Sequence, residues 1–345
     1  MRIRLLAPVL SLLGLLALGA CSKDEAASAH PSGSNAGTTA TPVVMDQKMI
    51  DATRQIEEDA AQAAAALKRG TNGSAPKTLR FSGIPNQNTT ELGAKYKLLA
   101  DYLTAKLGVP CEYVPSVDYN ASVDGFKNGD LLLCWFGGAT GVQARAAVPG
   151  ARAIACGPRD MKFKSYFVAN ASLGLAKSTE FPLALKGKHF TFGSPQSTSG
   201  RLMPEYFIRQ FTKQSPQEFF GAEPSFTKSH DQTLELVGSK SFEAGVVDYT
   251  VYEKRVKEGK VDPKVVQVIW ESPEYCDYQF TAHPELDKTF GSGFTDRLQN
   301  VLVSMEGDDR NVLGALDRVE GGLIRCTNED FAKLRTVALE IGLVR

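Results

Sequence analysis

No charge of one sign dominates this 345-residue chain: 39 Lys and Arg stand against 39 Asp and Glu. A protein that grips a phosphate backbone normally carries a basic surplus, so nucleic acid is not expected as a partner. Cysteine never recurs at C-x-x-C spacing, and no His/Glu cluster has metal-ligand spacing. A zinc or redox motif therefore has no support, and no metal is expected. No phosphate-binding loop with Gly-Lys-Ser/Thr occurs, and Gly291-Ser292-Gly293 lacks the third glycine of a dinucleotide fingerprint, so no cofactor is expected either. The nucleophile elbow G-x-S-x-G is missing, because Gly193-Ser194-Pro195-Gln196-Ser197 has the wrong spacing. Ser197, His230 and Asp248 make a triad only on paper, and the chain reads as a non-enzyme. What is present is ordinary globular material, 43% hydrophobic and 23% charged, with enough length for about two domains of roughly 150 residues.

One long apolar run stands at the start. Arg2 and Arg4 precede an almost wholly apolar Leu5 to Ala20, shorter than the ~20 residues a bilayer-spanning helix needs. Leu18-Gly19-Ala20-Cys21 resembles a bacterial lipobox, in which the Cys is lipid-modified and becomes the mature N-terminus. The resemblance implies a signal peptide over 1–20, a palmitate-type anchor on Cys21 and a place in the bacterial cell envelope, tethered to a membrane on its periplasmic side or at the cell surface. An uncleaved signal anchor is the alternative. Without residues 1–20 the chain has 37 basic against 39 acidic residues, a charge of −2. Besides the anchor Cys21, five cysteines remain: Cys111, Cys134, Cys156, Cys276 and Cys326. The compartment permits disulfides, while the odd count leaves at least one thiol free or paired with another molecule. Cys111, Cys134 and Cys156 lie in or beside apolar runs that suit small buried thiols.

After Cys21 the chain reads as a linker, a spacer and then folded lobes. Residues 22–44 are rich in Ser, Ala, Gly, Thr and Pro and cannot bury enough apolar surface to order themselves. As a flexible coil this stretch spans roughly 25 Å. Asp46 to Arg69 predicts a spacer helix with Asp46 as N-cap and Gly70 as stop signal, and a second linker leads to residue 77. From Thr78 strands alternate with helices, the pattern of parallel βαβ units. Leu92, Tyr96, Leu99, Leu103 and Leu107 mark one helix face, ended by Gly108. The pattern shows two consecutive α/β series but not the return of the chain. The expected division is 77–171 as the first part of lobe 1, 172–265 as lobe 2, and 266–345 as a return to lobe 1 with C-terminal helices. The fold class is α/β, two lobes with mostly parallel sheets and a ligand cleft between them.

The most informative stretch is Phe190 to Arg201, where a strand runs into Gly193-Ser194-Pro195-Gln196-Ser197-Thr198-Ser199-Gly200 and opens a helix. Backbone N–H groups and the positive end of a helix dipole then face the junction, which suits an oxyanion. The plain alternative is N-capping by one Ser. Ser197-Thr198-Ser199-Gly200, with Pro204 after it, resembles the motif of the phosphate/phosphite/phosphonate-binding family of ABC-transporter substrate-binding proteins. Other blocks match in order: Ala100-Asp101-Tyr102-Leu103, Leu107-Gly108-Val109, Asp118-Tyr119, Trp135-Phe136-Gly137, Ser229-His230 and Val268-Ile269-Trp270-Glu271-Ser272-Pro273. Trp135-Phe136-Gly137-Gly138 and Gly141-Val142-Gln143-Ala144-Arg145 are similar to a branch associated with selenate.

The resemblance implies a periplasmic-binding-protein type II fold and a set of ligand contacts. Ser197, Thr198, Ser199 and Gly200 would hold the oxyanion from one lobe, and Tyr119 with the Gly137–Gly138 turn from the other. His230 would donate a hydrogen bond and Tyr166 would lie near the hinge. Asp277 is the nearest counterpart of the acid that reads a ligand amino group. Asp248 and Tyr249 stand where another acidic contact has no clean match, which disfavours an aminophosphonate. The implied function is a monomeric substrate-binding lipoprotein that delivers a small tetrahedral oxyanion (phosphate, phosphite, phosphonate or a selenium oxyanion) to an ABC permease and its ATPase. An envelope hydrolase using Ser197, or a ligand-sensing lipoprotein feeding a signalling partner, are the alternatives.

Overall fold

The computed structural model describes residues 77–306 and 309–344. The signal segment, Cys21, both linkers and the 46–69 helix lie outside the described residues. The apolar run Leu79–Gly83 forms β1, and the polar turn after it ends at Asn88, whose side chain accepts from Thr90 N and Glu91 N to cap α1 (Thr89–Leu107). Leu92, Tyr96, Leu99, Leu103 and Leu107 are buried along that helix. Gly108 closes it at φ 65°, a left-handed conformation that glycine adopts without steric cost. β2 (Cys111–Tyr113), α2 (Tyr119–Lys127), β3 (Leu133–Phe136), α3 (Gly138–Ala147) and β4 (Arg152–Cys156) continue the alternation. α3 is a helix the sequence reading did not delineate. Only Gly137-Gly138 after a buried strand signalled a strand-to-helix turn there.

The chain then crosses to a second sheet. β5 (Ser165–Asn170), β6 (Phe190–Phe192), β7 (Ser225–Phe226), β8 (Ala244–Asp248) and β9 (Val266–Glu271) form it in the order β7-β6-β8-β5-β9. Between them lie α4 (Met203–Thr212), α5 (Pro216–Phe220), α6 (His230–Gly238) and α7 (Tyr249–Lys257). The chain returns at β10 (Gln279–Ala282), followed by α8 (Glu285–Phe290), α9 (Phe294–Val303), α10 (Arg310–Ala315), β11 (Ile324–Arg325) and α11 (Ala332–Glu340). The first sheet has the order β11-β4-β10-β3-β1-β2.

Most strands in each sheet point one way. β10 runs antiparallel between β3 and β4, and β5 runs antiparallel between β8 and β9. These inserted strands are the first ones laid down after each crossing, which explains a shift of lobe limits. The sequence reading placed 165–170 with lobe 1 and began the return at 266, yet β5 and β9 both belong to the second sheet. Apolar character alone cannot tell which sheet a buried strand joins, because both offer the same environment.

The two crossings, 157–164 and 272–278, lie side by side. Phe163 and Tyr275 pair as an antiparallel bridge with N–H···O distances of 2.8 and 3.0 Å, and Asp277 N donates to Asp160 O at 2.8 Å. One large core of buried side chains draws on both sheets, with Phe280 fully buried and its ring 4.8 Å from Trp135, and a smaller separate cluster gathers around Val168, Leu234 and Val247. Phe280→Ala is expected to cost about 3–5 kcal/mol through lost burial and a residual cavity, read as a lower urea midpoint. A change below about 1 kcal/mol would show that this strand does not anchor the core.

Candidate functional site

The Ser/Thr/Gly stretch folds as the sequence suggested, with one addition. Ser197 takes an extended conformation and its Oγ accepts from Gly200 N at 2.9 Å. Thr198–Leu202 is then a single π-helical turn, with Leu202 N bonded to Ser197 O at 2.9 Å, before α4 proceeds. The wider turn sets Thr198 and Ser199 off the axis of α4, a distortion frequent at functional sites. Gly193 and Gly200 meet backbone to backbone, and a Cβ on either would stand 3.1 Å from the other's Cα. A side chain on either would force the strand and the turn apart by a few tenths of an ångström.

From the first sheet, β3 delivers Gly137 and Gly138 to the start of α3. Gly137 has no side chain to cap that helix, so its first N–H groups reach outward. Gly138 N donates to Asp277 Oδ1 at 2.8 Å and Ala139 N to Thr198 Oγ1 at 3.0 Å. A Cβ on Gly137 would lie 3.2 Å from both of those acceptor oxygens. A helix N-terminus from one sheet thus abuts the hydroxyl turn of the other. Tyr119, at the start of α2, is buried and its phenol interacts with Ser197 beside Asp277 and Asp248.

His230 opens α6, with Ser229 as its N-cap. Its Nδ1 accepts from Asp248 N at 3.3 Å, which leaves the ring proton on Nε2. Burial lowers its pKa, so the imidazole is neutral. Nε2 is buried with no hydrogen-bond partner, and so are Ser199 Oγ and Asp277 Oδ2. Buried polar atoms are normally satisfied, so these three, on residues that adjoin the Thr198 turn, mark the candidate site; Gln143 Oε1, Arg159 Nε and Asn311 Nδ2 are likewise buried without partners. None of the three groups at the candidate site is cationic.

Asp248 is committed elsewhere. Its Oδ1 caps α7 through Thr250 and Val251, and its Oδ2 accepts from Tyr278 Oη at 3.0 Å, which in turn accepts from Asn86 Nδ2 at 2.9 Å. Asn86, Asp248, Tyr278 and Arg318 line a cavity of about 20 Å³. Tyr166 also lies apart: its hydroxyl donates to Glu253 at 2.8 Å and its ring packs on Tyr249 and Tyr252. Tyr249 rests against Phe163. These two tyrosines back the hinge and do not join the cluster of unpartnered atoms. The triple Ser197, His230 and Asp248 forms no catalytic relay, because His230 meets the Asp248 backbone N–H and not its carboxylate.

Several contributors escaped the sequence reading. Ala139 acts through its backbone, which no side-chain motif reveals. Ser165 Oγ holds Ser199 O at 2.8 Å and contacts Tyr275 Oη at 2.6 Å, joining the turn to both crossings. Around the cleft, Arg255 binds Asp231 at 2.6 and 2.9 Å and reaches Glu91 of α1 at 3.2 Å, while Lys254 binds Asp317 at 3.2 Å. His230 N donates to Asn86 O at 3.3 Å and Asn88 N to Asp231 Oδ2 at 3.1 Å. These bonds join elements built around the second sheet to those of the first.

Burial, only partly offset by the Gly138 N–H and the Thr198 hydroxyl, pushes the Asp277 carboxyl up to about 8. An Asp in the unfolded chain ionises near ~3.9. Between those limits the folded protein keeps a proton that the unfolded chain has lost, so stability is greatest at the acid end and falls as pH rises through the folded pKa. Asp277→Asn is expected to lose less stability than the parent between pH 5 and 9 on the scale of about 1 kcal/mol or more in urea melts. Parallel pH profiles for the two proteins would contradict a neutral Asp277.

Comparison with known proteins identifies the family and the fold. The family model described as "ABC transporter, phosphonate, periplasmic substrate-binding protein" matches residues 81–331. A probable ABC transporter phosphite binding protein, PhnD1, of Prochlorococcus marinus (strain MIT 9301) is 36% identical over 275 residues, covering 79% of this chain and 92% of the relative. The structure of that PhnD1 in complex with methylphosphonate superposes with a TM-score of 0.74 at 35% identity, over 78% of this chain and all of the other. The phosphate-import protein PhnD of Mycolicibacterium smegmatis is 28% identical, covering 74% of this chain and 79% of the relative. The two-sheet α/β architecture is the periplasmic-binding-protein type II fold, and the relatives are binding components of importers, not enzymes. The chain belongs to the periplasmic substrate-binding proteins of phosphonate ABC transporters.

Proposed function

We propose that this protein captures a small tetrahedral oxyanion between its two lobes and hands it, in the closed form, to an ABC permease with its ATPase. The observation that carries the reading is the set of buried, unpartnered atoms Ser199 Oγ, His230 Nε2 and Asp277 Oδ2, gathered where the α3 N-terminus meets the Thr198 turn. The guest would bridge N–H and hydroxyl donors from both lobes, so binding favours closure about the crossings 157–164 and 272–278. Tyr119, Gly137, Gly138, Ser197, Thr198, Ser199, Gly200, His230 and Asp277 make up the site. Asp248, Tyr166 and Tyr249 support it from behind. The lobes are 77–156 with 279–344, and 165–271.

The donors are neutral, so the anion is held by peptide dipoles and hydroxyls and not by countercharge. A neutral Asp277 donates to a dianion, whereas an ionised one accepts from an oxyanion that still carries a proton. The relatives' phosphite, phosphate and methylphosphonate set the first compounds to test. Each charge-assisted hydrogen bond contributes about 1.5–3 kcal/mol, so four or five support micromolar or tighter binding after association costs.

Calorimetry with phosphite, phosphate, methylphosphonate, sulfate, selenate and selenite is expected to find saturable binding of at least one phosphorus oxyanion. The double variant Ser197→Ala/Thr198→Ala should bind about 10–100-fold more weakly with its fold intact. Unchanged affinity in that variant would remove the site assignment, and failure of all six ligands at millimolar concentration would sink the oxyanion reading.

Cys21, at the end of Leu18-Gly19-Ala20-Cys21, is proposed as the lipid anchor that keeps the protein on the membrane. Metabolic palmitate labelling should mark the parent in the membrane fraction, and Cys21→Ala should lose both label and membrane association. A labelled Cys21→Ala protein would place the lipid elsewhere.

A further inference from the structure

The five cysteines in the described residues are not equivalent. Cys111 on β2 and Cys134 on β3 flank β1 on opposite sides, two strand spacings across and three residues along, more than ~10 Å apart and too far for a disulfide. Cys156 and Cys326 are placed otherwise. Cys156 ends β4, and β11 pairs antiparallel with β4 through Ile324 opposite Cys156 and Arg325 opposite Ala155. Cys326 continues that register, its N–H reaching Ile154 O at 3.4 Å. Strand alternation then puts Cys326, Ile154 and Cys156 on one face, with the two cysteines diagonal neighbours ~7–8 Å apart at Cα, so the two-residue edge strand must draw in slightly for a disulfide to close.

Both side chains are buried and both are free thiols in the structure; the neighbouring Cys156 thiol, with burial, holds the Cys326 thiol protonated. Met161 Sδ lies 3.6 Å from Cys156 Sγ and fills another side of it. Cys276 is nearby, but its thiol contacts the Met161 carbonyl at 3.8 Å. The structural need is equally local. β11 is an edge strand of two residues, a short ladder to hold the returning chain. That return carries Asp317, which binds Lys254 across the cleft, and Arg318, which binds Asp160 in the first crossing.

We propose that Cys156 and Cys326 form a disulfide in the exported protein, stapling the C-terminal return to β4 at the root of the hinge. Export places the chain in a compartment where disulfides persist. Formation is thiol–disulfide exchange with a disulfide-bearing oxidoreductase: one thiolate attacks the donor disulfide, the second resolves the mixed disulfide, and the donor leaves as a dithiol. Two protons and two electrons move from the protein's thiols to the donor. Because both sulfurs end up buried, the exchange belongs to folding after export.

The test uses the full chain purified from the cell envelope, unfolded in denaturant with an alkylating agent and no reductant, then digested for mass spectrometry. The expected result is a linked pair of peptides carrying Cys156 and Cys326, lighter by two hydrogens than the reduced pair, with Cys111, Cys134 and Cys276 alkylated. Alkylation of Cys156 and Cys326, or a link from either to Cys276, overturns the proposal. A second measurement avoids dependence on a variant's folding. Reductant should lower the parent's melting temperature by about 5–10 °C and leave that of Cys326→Ala unmoved. Equal shifts in the two proteins, or none in the parent, overturn it as well.

Discussion

Two stretches of chain pass between the sheets, and their pairing governs the geometry of everything between the lobes. Phe163 and Tyr275 exchange backbone hydrogen bonds, Ser165 and Ser272 tie the next step through Ser272 Oγ at 2.9 Å, and Asp277 N binds Asp160 O. Backbone groups this deeply placed must find partners, and here each crossing supplies them for the other. The consequence is positional. Asp277 leaves the ladder aimed at the start of α3, while Ser165 and Tyr275 brace the Ser199 carbonyl from below. A short antiparallel contact also bends more readily than a packed sheet, which suits a hinge between two rigid lobes.

A buried ion pair fixes the same region from the return side. Arg318 grips Asp160 with N···O distances of 2.7 and 2.5 Å and lies over the rings of Trp135 and Tyr278, 5.4 and 5.3 Å from their centres. Such a pair adds little net stability once desolvation is counted, but removing one partner strands the other's charge. It holds the first crossing, the β3 end and the C-terminal return in one arrangement. The cleft is therefore shaped by elements from four separate parts of the chain.

The electrostatic character of the site follows from its neighbours. With charge evenly balanced along the chain, no global field draws an anion in, and the cleft itself offers dipoles, hydroxyls and a neutral imidazole. Holding an anion without a countercharge demands that several donors point at one spot. Under the proposed function, that demand accounts for an α3 start whose first N–H groups reach Asp277 and Thr198, and for the π turn at Thr198.

Much of this was legible before any coordinates. The stripe from Leu92 to Leu107 marked α1, the alternation of strands and helices marked an α/β fold, and Ser197-Thr198-Ser199-Gly200 marked a donor-rich turn. Those signals are local: periodicity, capping and glycine placement act within one turn or one strand. What the sequence could not reveal depends on contacts between residues far apart in the chain. Nothing local told that β5 and β9 join the second sheet, that Asp248 spends its carboxylate on Tyr278 and its own helix, or that Tyr166 turns away toward Glu253. Asp277 was named from a resemblance, but its proton follows from burial, which only packing decides. The amino-acid sequence by itself determined the elements and the donor chemistry. The tertiary structure decided which donors remain unpartnered, because satisfaction of a hydrogen bond is a property of three-dimensional neighbours and not of residue type.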